Sequence, residues 1–147
     1  SEVAGYQHVN LISQPQNMSE AYRSRVATGV LMPGHAYTQA QRVRRLWAER
    51  LLSVFDEVDC LVHPADNIAG LKSGGGTPSS RPSSGGKTGQ WNLTGAPAIA
   101  IPTGLSAAEK MPLSMQCVAA PGDDDTALLV AHAFQLATAH HRARPPL

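Results

Sequence analysis

The chain has 147 residues, of which 42% are hydrophobic and 16% are charged, a balance typical of a folded protein with one core. The formal net charge of +1 gives no electrostatic argument for a nucleic-acid or membrane partner. No apolar run approaches the roughly 20 residues that a membrane-spanning helix needs.

The first third of the chain is predicted to be helical. One short helix is expected before Pro15, and Ser19 is a candidate N-cap for a second helix that runs to about Leu31. A turn follows at residues 33–34. A third helix is predicted over 36–55, because apolar residues recur there at spacings of three and four. They form one stripe, made of Ala36, Ala40, Val43, Trp47, Leu51 and Val54.

Three short strands are predicted further along the chain. Residues 58–62 form an apolar run that His63-Pro64 should end. After a polar turn, residues 98–101 form a second run, and Pro102 should end it because proline lacks the N–H that a sheet ladder needs. Apolar and polar residues alternate over 113–117, which predicts a third strand with one buried face.

A loop and a last helix complete the predicted elements. The segment from Ser73 to Gly89 contains six glycines, five serines and two prolines. Such a composition buries too little apolar surface to offset the entropy of ordering, so a flexible loop is predicted at 73–89. The last helix should begin near residues 123–125, whose carboxylates suit the positive end of a helix dipole, and should reach about His140.

The segment after the loop resembles the closing section of the amidase signature family. It reads NLTGAPAIAIPTG at 92–104 and MPLSMQCV at 111–118. Family members typically read N-x-T/A-G-x-P-A, an apolar strand and P-x-G, then a loop and L-P-x-x-hydrophobic-Q. The preceding helix-to-strand passage is also similar to the family, at Arg25, Gly29, Ala40, Arg44, Asp59 and Pro64.

The resemblance covers roughly residues 20–145 and implies an α/β fold. Residues 1–147 would be the carboxyl-terminal fragment of an amidase-signature α/β/α sandwich with a mixed sheet, incomplete on its own. Strand edges left unpaired in such a fragment would favour dimerisation or poor solubility.

For function, the resemblance implies hydrolysis of a carboxamide C–N bond through an acyl-enzyme, with neither metal nor organic cofactor. The family uses a nucleophilic serine, a bridging serine on a cis peptide and a lysine base. These match no position here, so no catalytic residue is carried over. Whether the chain is an enzyme stays open, and alone it is expected to be inactive.

Two alternatives to a simple amidase remain. The chain could be part of the glutamine-hydrolysing amidase subunit of a tRNA-dependent amidotransferase, or a non-catalytic remnant or binding module. The expected partners are a small-molecule amide in the intact enzyme and either a second copy or a partner subunit, without direct nucleic-acid or membrane contact.

Several motifs suggest chemistry that their surroundings do not support. Residues 84–88 resemble a phosphate-binding loop, but Arg81 stands where the pattern needs glycine. Ser83-Ser84-Gly85-Gly86 is similar to the serine-glycine core of the amidase signature, yet it follows the long helix instead of preceding it, and no nucleophile segment comes after it. An exposed lysine is protonated at neutral pH and cannot act as a base; this applies to Lys72, Lys87 and Lys110.

The histidines and cysteines are interpreted as structural. No ligand spacing that would indicate a metal site relates the six histidines, which are His8, His35, His63, His132, His140 and His141. Cys60 and Cys117 both lie in apolar runs and are predicted to be buried, reduced thiols. Reduced thiols favour a cytoplasmic location.

Trp91 and Asn92 are the candidate substrate-binding residues. They lie where the glycine- and serine-rich loop meets the first strand of the closing section, a place where a ligand pocket could be lined. In the alternative interpretation, which is favoured, Asn92 hydrogen-bonds its own turn and Trp91 covers the edge of the core.

Overall fold

The computed structural model describes residues 2–65, 88–107 and 110–144. The chain divides into two compact units, Ser1–Leu46 and Trp47–Leu147. The elements are α1 (Glu2–Ser13), α2 (Glu20–Val30), α3 (Gly34–Leu52), β1 (Cys60–Pro64), α4 (Gly89–Thr94), β2 (Ala98–Leu105), β3 (Pro112–Ala119) and α5 (Asp124–Ala137). Within the described ranges, no helix is long and apolar enough to cross a membrane.

The first unit is built on α1 and α2. Ala4 and Val26 are its buried side chains, at 5% and 1% exposure. The predicted cap of α2 is confirmed, since Ser19 Oγ accepts a hydrogen bond of 3.3 Å from the Tyr22 N–H and satisfies one of the free donors at the helix start. The start of α3 is tied to α1 because Tyr37 and Gln41 both donate to the Glu2 carboxylate, at 3.0 and 3.1 Å.

The apolar stripe predicted on the third helix is covered only at its carboxyl-terminal end. Val43 is 55% exposed and Trp47 is 37% exposed. Leu51 and Leu52 pack with Phe55 against a cluster around Trp91 in the second unit. The helix therefore contributes its last turn to the core of that unit.

The second unit contains a three-stranded antiparallel sheet in the order β1-β3-β2. The prediction that β3 has one buried face is wrong, because both its faces are covered. Val118 faces the Trp91 cluster, while Cys117 faces α5. Both are fully buried.

The predicted bounds of the other two strands are also wrong. β1 runs to Pro64, which pairs with Met115 of β3, so His63-Pro64 belongs to the strand instead of ending it. β2 continues past Pro102 to Leu105, with a bulge between Pro102 and Gly104. Both strands are outer strands of the described sheet, where a residue without an N–H is tolerated.

A short helix stands where a polar turn is predicted before β2. This helix, α4, ends at Gly95, which has φ of +77° and whose N–H bonds to the Trp91 carbonyl at 2.9 Å. A left-handed glycine at this position is a common helix terminator. Of the predicted loop at 73–89, residues 73–87 lie outside the described residues.

The predicted last helix is confirmed as α5. Asp123 caps it by accepting a hydrogen bond of 3.3 Å from the Thr126 N–H. Ala127 and Ala131 are buried, and Ala131 packs with Ile101 and Cys117 on one face of the sheet. The sheet therefore lies between α5 on one face and the end of α3 with α4 on the other.

Candidate functional site at the end of the sheet

The first component of the site is a histidine held by a buried tryptophan. The Trp91 indole N–H donates to Nε2 of His63 at 2.8 Å, and the two ring centroids lie 5.7 Å apart. Nδ1 of His63 lies 2.8 Å from the carbonyl oxygen of Pro64. Because Nε2 accepts, Nδ1 must carry the proton, and the hydrogen bonds assign the neutral Nδ1–H tautomer. With both nitrogens engaged, His63 is held as part of a wall.

The second component is a buried amide next to this histidine. Gln116 is paired with His63 in the register of β1 and β3 and is only 9% exposed. Its Oε1 has no hydrogen-bond partner among the described residues. A buried acceptor without a donor costs about 1–3 kcal/mol, so Gln116 is placed to receive a donor from outside the described part of the chain.

An open pocket of about 390 Å³ lies at the same end of the sheet. Its described lining consists of Val62, His63, Pro64, Thr103, Pro112, Leu113, Ser114 and Met115. Apolar walls with a few hydroxyl groups and a volume in this range suit a small organic ligand. The two hydroxyls, on Thr103 and Ser114, can orient such a ligand by hydrogen bonds.

The two predicted substrate-binding residues occupy different environments. Trp91 is 3% exposed and packs with Ala96 and Val118. Asn92, the next residue of α4, is exposed. Trp91 is connected to the pocket through its hydrogen bond to His63, a lining residue. The pairing of His63 with Trp91 was not expected from the sequence, where the only local signal is a His-Pro pair after an apolar run.

The described serines and lysine do not form a catalytic pair. Ser106 Oγ accepts a hydrogen bond of 3.1 Å from the Met111 N–H and so closes the turn between β2 and β3. Lys110 lies in the same turn, exposed and with φ of +56°. The motif at 83–86 and both Lys72 and Lys87 lie outside the described residues. Over the described ranges, no group of three or more His, Cys, Asp or Glu side chains could hold a metal ion.

Both cysteines are free thiols. Cys117 is fully buried, whereas Cys60 is only partly buried. Burial, and then the neighbouring Cys60, raises the pKa of the Cys117 thiol above its ordinary value. Since the thiolate is the nucleophilic form, Cys117 is a packing residue and a poor nucleophile.

The sheet covered by helices on both faces defines an α/β protein. A family model described as Amidase matches residues 12–128. The chain belongs to the amidase family, as its motifs predict.

Curated relatives share the sequence over most of this chain. One relative, which belongs to the glutamyl-tRNA(Gln) amidotransferase of Bacillus velezensis, is 36% identical over 113 residues, covering 76% of this chain and 23% of the relative. AtzE, from the 1-carboxybiuret hydrolase of a Pseudomonas species, is 29% identical over 129 residues, covering 83% of this chain and 28% of the relative. The chain thus spans about a quarter of the length of these relatives.

Solved structures share the fold. One, described as a vestigial protein complex that reveals the origins of an s-triazine catabolic enzyme, matches 91% of this chain and 31% of its own, with a TM-score of 0.73 and 26% identity. A crystal structure of an amidase matches 91% of this chain and 32% of its own, with a TM-score of 0.76 and 23% identity. These likenesses confirm the predicted α/β fold class.

Proposed function

We propose that these residues are the carboxyl-terminal segment of an amidase, an enzyme that hydrolyses a carboxamide C–N bond through an acyl-enzyme. The observation that carries the proposal is the family match over residues 12–128 in a chain that spans 23% of a relative. The segment would supply the wall formed by His63, Trp91 and Gln116. The unpartnered Oε1 of Gln116 supports the proposal, because a further part of the enzyme could supply its donor.

The chemistry of the proposed reaction explains why this segment should not act alone. Attack on an amide requires a hydroxyl that a neighbouring base deprotonates. Among the described serines, Ser106 is engaged in a turn, and the described lysine, Lys110, is exposed on the same turn. The nucleophile and the base are therefore proposed to lie on another stretch of polypeptide, and neither metal nor organic cofactor is proposed.

Ammonia release tests this proposal. The isolated chain should release no ammonia from simple carboxamides, because loss of nucleophile and base typically costs about 10⁶-fold in turnover. An intact amidase assayed in parallel serves as the control. Turnover by the isolated chain at an ordinary enzymatic rate, about 1 s⁻¹ or faster, would contradict the proposal.

A second candidate is the amidase subunit of a glutamine-dependent amidotransferase. It is favoured by the relatives from glutamyl-tRNA(Gln) amidotransferases, one of them at 36% identity. Such a subunit would hydrolyse glutamine and pass ammonia to a partner subunit. Dependence of ammonia release on glutamine and co-purification of a partner would support it, whereas hydrolysis of simple carboxamides without a partner would favour the amidase. A longer protein containing this chain and inactive on both substrates would favour the non-catalytic remnant.

Asn92 and Trp91 are proposed to serve the substrate in different ways. The exposed amide of Asn92 would contact the substrate, while Trp91 would position the pocket wall through His63. In the intact enzyme, Asn92→Ala should raise KM for the amide without changing the folded state, and Gln90→Ala on the same helix should not. An unchanged KM for Asn92→Ala would leave only the structural interpretation. The cytoplasm is proposed as the location, supported by the two free thiols.

A further inference from the structure

The outward face of α5 is apolar where a surface helix normally carries polar side chains. Its exposed positions recur with the helical period. They are Asp124, Asp125, Leu128, Leu129, His132, Ala133, Leu136 and Ala137. The three leucines are 55%, 67% and 76% exposed. A contiguous apolar face of this kind is typical of an interface.

Charge is distributed along α5 so that its two ends are opposite in sign. Asp124 and Asp125 form an acidic first turn. Beyond the other end, Arg142 and Arg144 are exposed and basic. The middle of the leucine face falls at residues 132–133, with leucines on either side of it, and the acidic and basic ends lie at similar separations from that middle.

We propose that a second copy of this chain covers this face, with α5 packed antiparallel against α5 of the other copy. A two-fold axis at His132 and Ala133 would bring Leu128 of each copy to Leu136 of the other, as an isologous interface requires. The small Ala133 side chain allows the two helices to approach closely at the axis.

Charge complementarity selects a second copy in this orientation. Antiparallel packing places the acidic turn of one copy beside the arginines of the other, whereas parallel packing would place acid against acid. An apolar partner of another kind would gain nothing from this arrangement of charge. The inference is independent of the proposed enzymatic function.

The first test is the mass of the chain in solution, measured by light scattering after size exclusion. The chain should have twice the 15.5 kDa of a single copy. Leu136→Glu should weaken the dimer at least tenfold, because its side chain is exposed in one copy and would be buried between two. Ile12→Glu, which changes an equally exposed residue on α1, should leave the dimer intact. A monomeric chain, or a dimer unaffected by Leu136→Glu, would overturn the proposal.

The second test reverses the charges. The double variant Arg142→Glu with Arg144→Glu should weaken the dimer, because acid would then face acid. Adding Asp124→Arg and Asp125→Arg should restore it, since each end again meets its opposite. Failure of the fourfold variant to dimerise more tightly than the double variant would overturn the antiparallel arrangement.

The third test probes the two-fold axis. In a Cys60→Ser background, Ala133→Cys should be cross-linked to its own copy by a short bis-maleimide, whereas Gln16→Cys in the first unit should not. The same reaction in a longer protein containing this chain shows whether other polypeptide covers the face there. Absence of a specific cross-link at position 133 in either protein would overturn the proposal for that protein.

Discussion

At the residue scale, the hydrogen bond between Trp91 and His63 should contribute measurably to stability. Trp91→Phe keeps an aromatic ring but removes the indole N–H, so Nε2 of His63 loses its donor in a partly buried site. The free energy of unfolding should fall by about 1–3 kcal/mol, measured by urea denaturation. Trp47→Phe is the matched control because Trp47 is 37% exposed. Equal stability of the two variants would show that the hydrogen bond contributes nothing.

The Cys117 thiol should make the chain less stable at alkaline pH. Its pKa is raised above the ordinary value of 9.0, first by burial and then by Cys60. The unfolded chain therefore forms the thiolate at a lower pH than the folded chain. Stability is fully present below the unfolded pKa and is lost as pH rises through it toward the folded pKa.

The expected result is a steeper loss of stability in the chain than in a Cys117→Ala variant. Between about pH 7 and about pH 10, which bracket the ordinary thiol pKa, the free energy of unfolding should fall more in the unmodified chain. Comparing the two slopes removes the effect of lysines and tyrosines that titrate in the same range. Parallel slopes would mean that burial of Cys117 does not penalise the thiolate.

At the scale of elements, the bulge in β2 depends on Gly104. This residue has φ of +118°, and a Cβ added there would lie 3.4 Å from the ring of His140. Gly104→Ala should therefore lower the free energy of unfolding by about 1–3 kcal/mol, measured by urea denaturation. Gly34→Ala is the control, since it has neither a positive φ nor a neighbour within 4 Å. A Gly104→Ala variant as stable as Gly34→Ala would show that the strand relaxes without strain.

Elements with local signals were predictable from the sequence. The caps at Ser19 and Asp123 follow from side chains that bond an N–H three residues away, and both helices begin where predicted. The strand bounds were not predictable, because they depend on which strand lies outside. Pro102 stays within β2 only because β2 is an outer strand of the described sheet, and no nearby residue encodes that position.

The candidate site shows the same division between local and long-range signals. Trp91 was selected from its place beside the closing motif, but its partner His63 lies 28 residues earlier in the chain. Gln116 belongs to the motif that indicates the family, yet its burial and unpartnered oxygen depend on packing across the sheet. Periodicity reports which side of a strand is apolar; it does not report that both faces of β3 will be covered.

At the scale of the whole molecule, β3 should be the most protected part of the described chain. It pairs on both edges and is covered on both faces. In native-state hydrogen exchange, the amides of residues 116–118 should exchange more slowly than those of α1, because opening them requires the sheet to separate. Faster exchange in β3 than in α1 would show that the first unit is the more stable one.

The order of the strands also has a consequence for biosynthesis. The strand at the centre of the sheet is the last of the three to leave the ribosome, and Cys60 has to wait for Ala119 before it can pair. Until then, the two earlier strands emerge as apolar segments without a template, which is when nascent chains are most prone to aggregate. Translation through residue 119 is therefore the stage at which a chaperone would be most useful to this polypeptide.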